Sequence, residues 1–322
     1  MMTQTQTAID RPRLVPKLHI ALAAMVLGAA AACDDPAPPP PPPTPVTPPA
    51  PVTGAVKPPA PPVAATASPL QVEKQLHAAL EAANSSYTGK AQFRIEGGAL
   101  VAASLRDCQV SDLSPLKGRA LMSLDLMNNP VRDLRPLQGM PLRELYVEGT
   151  KVSDLGPLRG MPVGKLYLSN TKVSNLAPLR GMPLAELNLL ATAVTDLGPL
   201  KGTPLRSLWL NQTPVSDIAP LKDLPLVSLT LAGTRVTDLG PLASIKGLQR
   251  LHIADTPATD LTPLAQLRLT RLVFTPRNIK QGIRAVRAMP SIRQIGVSLP
   301  DNPKTMPNPI QFWEAYDGGR FK

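Results

Sequence analysis

The chain has 322 residues, 40 of them proline, only 3% aromatic residues, and a formal net charge of +11. Such a composition excludes an ordinary globular domain, and a count of two cysteines excludes a disulfide framework and a cysteine-based metal site. The basic balance favours anionic partners, although it governs solubility and encounter more than fold.

Residues 1–33 place Arg11, Arg13 and Lys17 ahead of an apolar run from Leu18 to Ala32, which ends at Cys33. A run of 15 residues is too short to span a bilayer, so the segment predicts an export signal peptide. Ala30, Ala31 and Ala32 before Cys33 resemble a lipobox, which would make Cys33 a lipidated membrane anchor. The expected location is the cell envelope, periplasmic or at the cell surface, with plain secretion as the alternative.

Residues 34–68 predict a disordered linker, because 15 of the 28 residues from Pro36 to Val63 are proline and only Lys57 is charged. An extended polyproline spacer of that length reaches roughly 85 Å. Residues 69–109 then predict an amino-terminal cap. Ser68 and Pro69 start a helix running to about Asn84, with Val72, Leu76, Leu80 and Ala83 on one stripe. A hairpin follows, with residues 91–95 and 100–105 around Gly97 and Gly98, and leads into the first coil.

From 110 to 278 the phrase V[ST]DLxPL[KR]GMPLxxLxLxxTx occurs eight times, at Val110, Val131, Val152, Val173, Val194, Val215, Val236 and Ala258. The period is 21 residues, with one unit of 22 where Ser244, Ile245 and Lys246 replace GMP. A short fixed period with LxxLxL inside it is the signature of a leucine-rich repeat array, in which each unit buries its leucines only against its neighbours. Alternation such as Leu142, Leu145 and Val147 predicts strands of one long parallel sheet on a concave face.

Thr150, Thr171, Thr192, Thr213, Thr234 and Thr256, with Asn129 and Cys108 in the same column, predict side chains that satisfy a backbone turn. Asp112, Asp133, Asp154, Asp196, Asp217, Asp238 and Asp260, with Asn175 among them, predict helix caps before a very short turn; a calcium ladder is the rival reading. No unit has room for a full α-helix. The expected fold is therefore an α/β solenoid with 3₁₀ turns on the convex side and helical caps at both ends. Lys117, Arg159, Arg180, Lys201 and Lys222 form a basic ladder on that outer turn. It lacks the interleaved aromatics of a single-strand binder, so no nucleic acid is expected.

Residues 279–322 predict the carboxy-terminal cap and tail. Ile279, Ile283, Val286 and Met289 fall on one face of a predicted helix, and Ile292, Ile295 and Val297 supply a last strand. Phe312, Trp313, Tyr316 and Phe321 then predict a lid over the final coil, with a docking peptide as the alternative.

The GMPL array, the lead-in over 80–96 and the Phe-Trp-Glu-Ala-Tyr-Asp stretch at 312–317 together resemble a bacterial family of leucine-rich repeat proteins. In that family the array is often fused behind a serine/threonine kinase domain or stands alone behind a signal peptide. The resemblance covers roughly 70–322 and implies recognition. The repeats are also similar to those of internalins, whose concave faces bind host receptors and whose units are a residue longer. The glycine-rich phosphate loop, HRD and DFG of a kinase do not occur in this sequence.

A catalytic constellation is not legible. His19 lies in the leader, His77 on the capping helix and His252 on a strand, while Cys108 belongs to the turn column. No catalytic residue, metal site or cofactor is expected, and the chain is expected to be monomeric. The residue between the last two leucines of each strand must face the concave side, and reads Asp125, Tyr146, Tyr167, Asn188, Trp209, Thr230, His252, Val273. The flanking column reads Met127, Glu148, Ser169, Leu190, Asn211, Ala232, Ala254, Thr275.

Exposed aromatics that no core demands are candidate anchors; cross-strand stacking that only stabilises the sheet is the competing reading. Tyr146, Tyr167, Asn188, Leu190, Trp209, Asn211, Glu148 and His252 are the expected binding residues for a protein or glycan partner, with Glu144, Lys165 and Glu186 around them. The alternatives are a regulatory module of the kinase-type family that has lost its kinase, a structural envelope spacer, and an enzyme whose site the sequence hides.

Overall fold

The structure is a computed structural model that describes residues 68–299 and 305–321. The expected leader with Cys33, and the linker up to residue 67, lie outside the described residues. An amino-terminal helix α1 (Pro69–Ala83) precedes an 11-stranded sheet whose strands follow in chain order. These are β1 (Gln92–Glu96), β2 (Ala99–Ser104), β3 (Ser123–Asp125), β4 (Glu144–Tyr146), β5 (Lys165–Tyr167), β6 (Glu186–Asn188), β7 (Ser207–Trp209), β8 (Ser228–Thr230), β9 (Arg250–His252), β10 (Arg271–Val273) and β11 (Gln294–Gly296). Two short helices, α2 (Ile283–Arg287) before β11 and α3 (Pro309–Asp317) after it, complete the carboxy-terminal end. Strands β1 and β2 are antiparallel, and every later neighbour pair is parallel.

Each coil passes from a three-residue strand to a 3₁₀ turn such as Gly156–Leu158 and back. In the coil that starts at Val152, seven apolar positions (Val152, Leu155, Leu158, Met161, Val163, Leu166 and Leu168) are at most 3% exposed. Each such side chain contributes about 1.5–3 kcal/mol by leaving water, but only if the next coil is present to cover it. The chain turns sharply after each 3₁₀ segment because Gly118, Gly139, Gly160, Gly181 and Gly202 adopt φ of 70–75°. Left-handed backbone costs glycine nothing, which accounts for the G of the repeated phrase.

The threonine column behaves as its chemistry requires. Thr150, Thr171, Thr192, Thr213, Thr234 and Thr256 donate their hydroxyls to the carbonyl three residues back at 2.6–2.8 Å. Cys108 donates its thiol to the Arg106 carbonyl at 3.4 Å, and burial pushes its pKa up, so it stays a thiol. Asn129 goes further: Oδ1 accepts from Val110 N at 2.9 Å, and Nδ2 donates to the carbonyls of Leu105, Leu126 and Met127 at 2.7, 2.9 and 3.1 Å.

The expected capping by aspartate is corrected in detail. The cap position of each 3₁₀ turn is the following Leu or Ile, as at Leu155, whose side chain makes no capping bond. The side-chain oxygen sits one residue earlier, an aspartate carboxylate in seven coils and the Asn175 amide in the eighth, and accepts from the N–H two residues on at 2.7–2.9 Å. This Asx geometry satisfies the first orphan donor of a turn too short for an α-helical cap.

At the amino-terminal end Ser68 accepts from Gln71 N at 3.3 Å, and α1 buries Val72, Leu76 and Leu80. Its last contact is a staple that the sequence did not announce. Asn84, 4% exposed, accepts from Ser111 N and Asp112 N at 2.8 Å, and donates to the Leu80 and Asp112 carbonyls at 3.1 Å.

At the other end two expectations change. The helix predicted over Ile279 to Met289 is only the five residues of α2, because Gly282 turns left-handed at φ 83° and a Cβ there would run into Thr262 N and Leu261 C. Val297, expected inside a last strand, lies beyond β11 and is 40% exposed.

The aromatic tail is a lid. Phe312 packs on Phe274 of the last full coil with ring centroids 5.7 Å apart, and on Trp313 and Phe321 at 5.0 and 5.1 Å. Asn308 and Gln311 form a capping box at the start of α3, and Arg287 clamps Asp317 with bonds of 2.9 and 2.7 Å.

Candidate binding face on the parallel sheet

Within each three-residue strand the central Leu points into the core, so both flanking side chains must point to the opposite face. The pairing register stacks them in rows: Asp125, Tyr146, Tyr167, Asn188, Trp209, Thr230, His252 and Val273 are successive partners. The residue on the other side of the Leu forms a second row: Ser123, Glu144, Lys165, Glu186, Ser207, Ser228, Arg250 and Arg271.

The expected aromatics do meet. Tyr146 and Tyr167 stack with centroids 5.1 Å apart and planes 21° apart, and Trp209 reaches over Asn188 to Tyr167 at 5.8 Å. Both phenols are tied down, Tyr146 donating to Glu144 Oε2 at 3.4 Å and Tyr167 to Glu186 Oε2 at 2.7 Å. Burial first, and these carboxylates second, hold both phenols well above the usual tyrosine range. Lys165 pairs with Glu144 at 3.1 Å and Arg106 with Asp125 at 3.1 Å.

The idea of freely exposed aromatics is corrected at Trp209, which is only 7% exposed, while the two tyrosines are half-buried. Alternation along a strand tells which face a side chain takes, not how closely its neighbours crowd it. The far end of the same face is also covered. Met306 and Leu299 pack with Ala254 and Val273, so those two positions are closed off by the tail. Asn188 turns its amide oxygen back to Leu190 N at 3.0 Å, and Leu190 stays half-buried on the face.

Several buried polar atoms here have no hydrogen-bond partner among the described residues: Glu148 Oε2, Asn211 Oδ1, Thr230 Oγ1 and His252 Nδ1. Leaving such atoms unpaired is costly, so ordered water or a bound group must meet them. Burial, then the neighbouring Asp125 charge, pushes the Glu148 carboxyl up to about 7, and burial brings His252 down to about 4. His252 is therefore a neutral imidazole at neutral pH.

The sequence pattern singled out Glu144, Lys165 and Glu186 of the second strand row but not Arg250 and Arg271, adjacent partners on β9 and β10. Their position one residue before the strand leucine was the available signal.

Among the described residues no group of three metal-ligating side chains assembles, His77 Nδ1 lies 2.7 Å from the Tyr87 hydroxyl, and Cys108 is buried in its turn.

No family model and no curated protein matches the chain. Among solved structures it is similar to an internalin (inlF) from Listeria monocytogenes, at 21% identity over 70% of this chain and 73% of that one, with a TM-score of 0.53. Internalin C2 from the same organism is 24% identical over 62% of this chain and 92% of that one, with a TM-score of 0.50. The leucine-rich repeat ectodomain of the Arabidopsis receptor kinase HAESA, solved with a peptide hormone ligand, is 17% identical over 62% of this chain and 38% of that one, also at 0.50. These likenesses show the fold: an internalin-like leucine-rich repeat solenoid with a parallel sheet on one face, 3₁₀ turns between the strands and helical caps.

Proposed function

We propose that the chain is a non-enzymatic recognition module that binds a protein partner across its sheet face, at the rows holding Tyr146, Tyr167, Asn188, Leu190, Trp209, Asn211, Glu148 and His252. The observation that carries this reading is the set of unpaired polar atoms beside half-buried tyrosines on a face that the core does not need. A protein suits the face better than a glycan, because sugars stack on open ring faces and the Tyr146 and Tyr167 rings are turned against each other. In the same reading residues 1–33 export the chain, Cys33 anchors it, and 34–68 hold residues 69–322 away from a membrane of the cell envelope.

Leu190→Arg tests this, since it places a long charge in the middle of the face without touching the core. Crosslinking in cells, followed by identification of the captured proteins, is expected to show about tenfold less partner for this variant. Lys201→Glu on the outer turn, where the side chain is exposed, is expected to keep the partner at an unchanged melting temperature. Equal capture by both variants would retire the sheet face as the binding surface.

A further inference from the structure

We propose that Arg250 and Arg271 form the receiving site for carboxylates of an extended acidic polypeptide segment laid along the sheet face. This rests on that face being the recognition surface. The two arginines are register partners on neighbouring strands, about 4.8 Å apart along the sheet, and both are half-buried. Arg271 donates Nε to Gln294 Oε1 at 2.7 Å, which orients its guanidinium. Neither arginine makes an ion pair among the described residues, whereas the cations of the opposite end, Lys165 and Arg106, are each held by a carboxylate.

Two like charges stacked in partial burial work against folding, and an arriving carboxylate would relieve that repulsion. Burial first, and the Arg250 charge second, lower the Arg271 pKa. A guanidinium pair presents forked donors that match carboxylate oxygens.

The neighbouring rows suit a polypeptide. Asn211 Oδ1, Thr230 Oγ1 and His252 Nδ1 lie on the strands or strand ends of three consecutive coils and have no partner among the described residues. These atoms are sealed from solvent in the free protein, so the amides of an extended chain reach them by turning the Asn211, Thr230 and His252 side chains outward as it runs toward Trp209 and the tyrosines. Asp125, Glu144, Glu148 and Glu186 make the opposite end of the face acidic. The charge gradient orients the segment, its acidic part toward the carboxy-terminal cap.

The test is fluorescence anisotropy of the full chain with short dye-labelled peptides of alternating Glu and Ser, compared with Gln and Ser at the same length. The Glu peptide is expected to bind more tightly. Arg250→Gln combined with Arg271→Gln is expected to weaken it by about tenfold or more, as loss of charge-assisted bonds implies. Lys201→Gln with Lys222→Gln on the outer turn is expected to leave it unchanged, which separates the site from the general basic charge.

No preference for Glu over Gln overturns the proposal, as does binding that is lost only in the outer-turn variant. Binding of polygalacturonate without binding of the peptide makes the partner an acidic glycan and overturns it too. If the arginine variant keeps the peptide while Leu190→Arg loses it, the arginine assignment falls and the sheet face stands. If neither variant changes binding, both readings fall.

Discussion

Replacing Phe312 by Ala is expected to cost about 3–5 kcal/mol, with the damage concentrated in the last coils. Phe312 is 1% exposed and touches Phe274, Trp313 and Phe321 at once. Without it, Phe274 at the end of the stack faces water, and a solenoid's open end exposes the same apolar surface that its interior coils bury in each other. Because each coil contacts only its neighbours, the loss should spread inward by fraying rather than unfold the array at once. Hydrogen exchange should therefore accelerate first across β9, β10 and β11, while β4, β5 and β6 keep their protection. A uniform loss of protection along the array would show that the lid stabilises the chain in some other way.

Asn129→Ala is the second large effect, and it acts at the other end. Thr171 makes one side-chain bond, to the Leu168 carbonyl, so Thr171→Val should cost about 1 kcal/mol. Asn129 is 2% exposed, bonds Val110 N and the Leu105 carbonyl of the preceding coil, and also closes its own turn through Leu126 and Met127. Its removal leaves the buried Val110 N–H with no acceptor, at about 1–3 kcal/mol, and also loses three donated bonds, although the Leu105 carbonyl still accepts from Cys108 N at 3.1 Å. A loss of about 3 kcal/mol in urea denaturation is the expected result. A cost equal to that of Thr171→Val would mean that the bridge to the first coil carries no stability.

The repeat made most of the fold readable, because identical residues at a fixed period can satisfy their burial only by stacking in register. Ser68 and Pro69 placed the start of α1, and Gly97 with Gly98 placed the hairpin between β1 and β2. Other features lacked such a signal. The left-handed column Asp107, Asn128, Gly149, Asn170, Ala191, Gln212, Gly233 and Asp255 mixes so many residue types that its shared backbone conformation cannot be seen in the sequence.

The shortened α2 depended on how closely the backbone passes Gly282, which no periodicity reports. On the candidate face, period-two alternation identified the rows, but the burial of Trp209 and the covering of Val273 by Met306 arise from crowding between coils and from the tail. The competing idea of a merely stabilising aromatic stack also acquired substance, since the tyrosine rings do spend their faces on each other.

A photo-crosslinking residue introduced in turn at Ser228 on the sheet face and at Lys222 on the outer turn, in cells making the full chain, tests the account most directly. A discrete protein adduct is expected from position 228 and none from position 222. An adduct from position 222 alone would contradict it and move recognition to the basic outer turn.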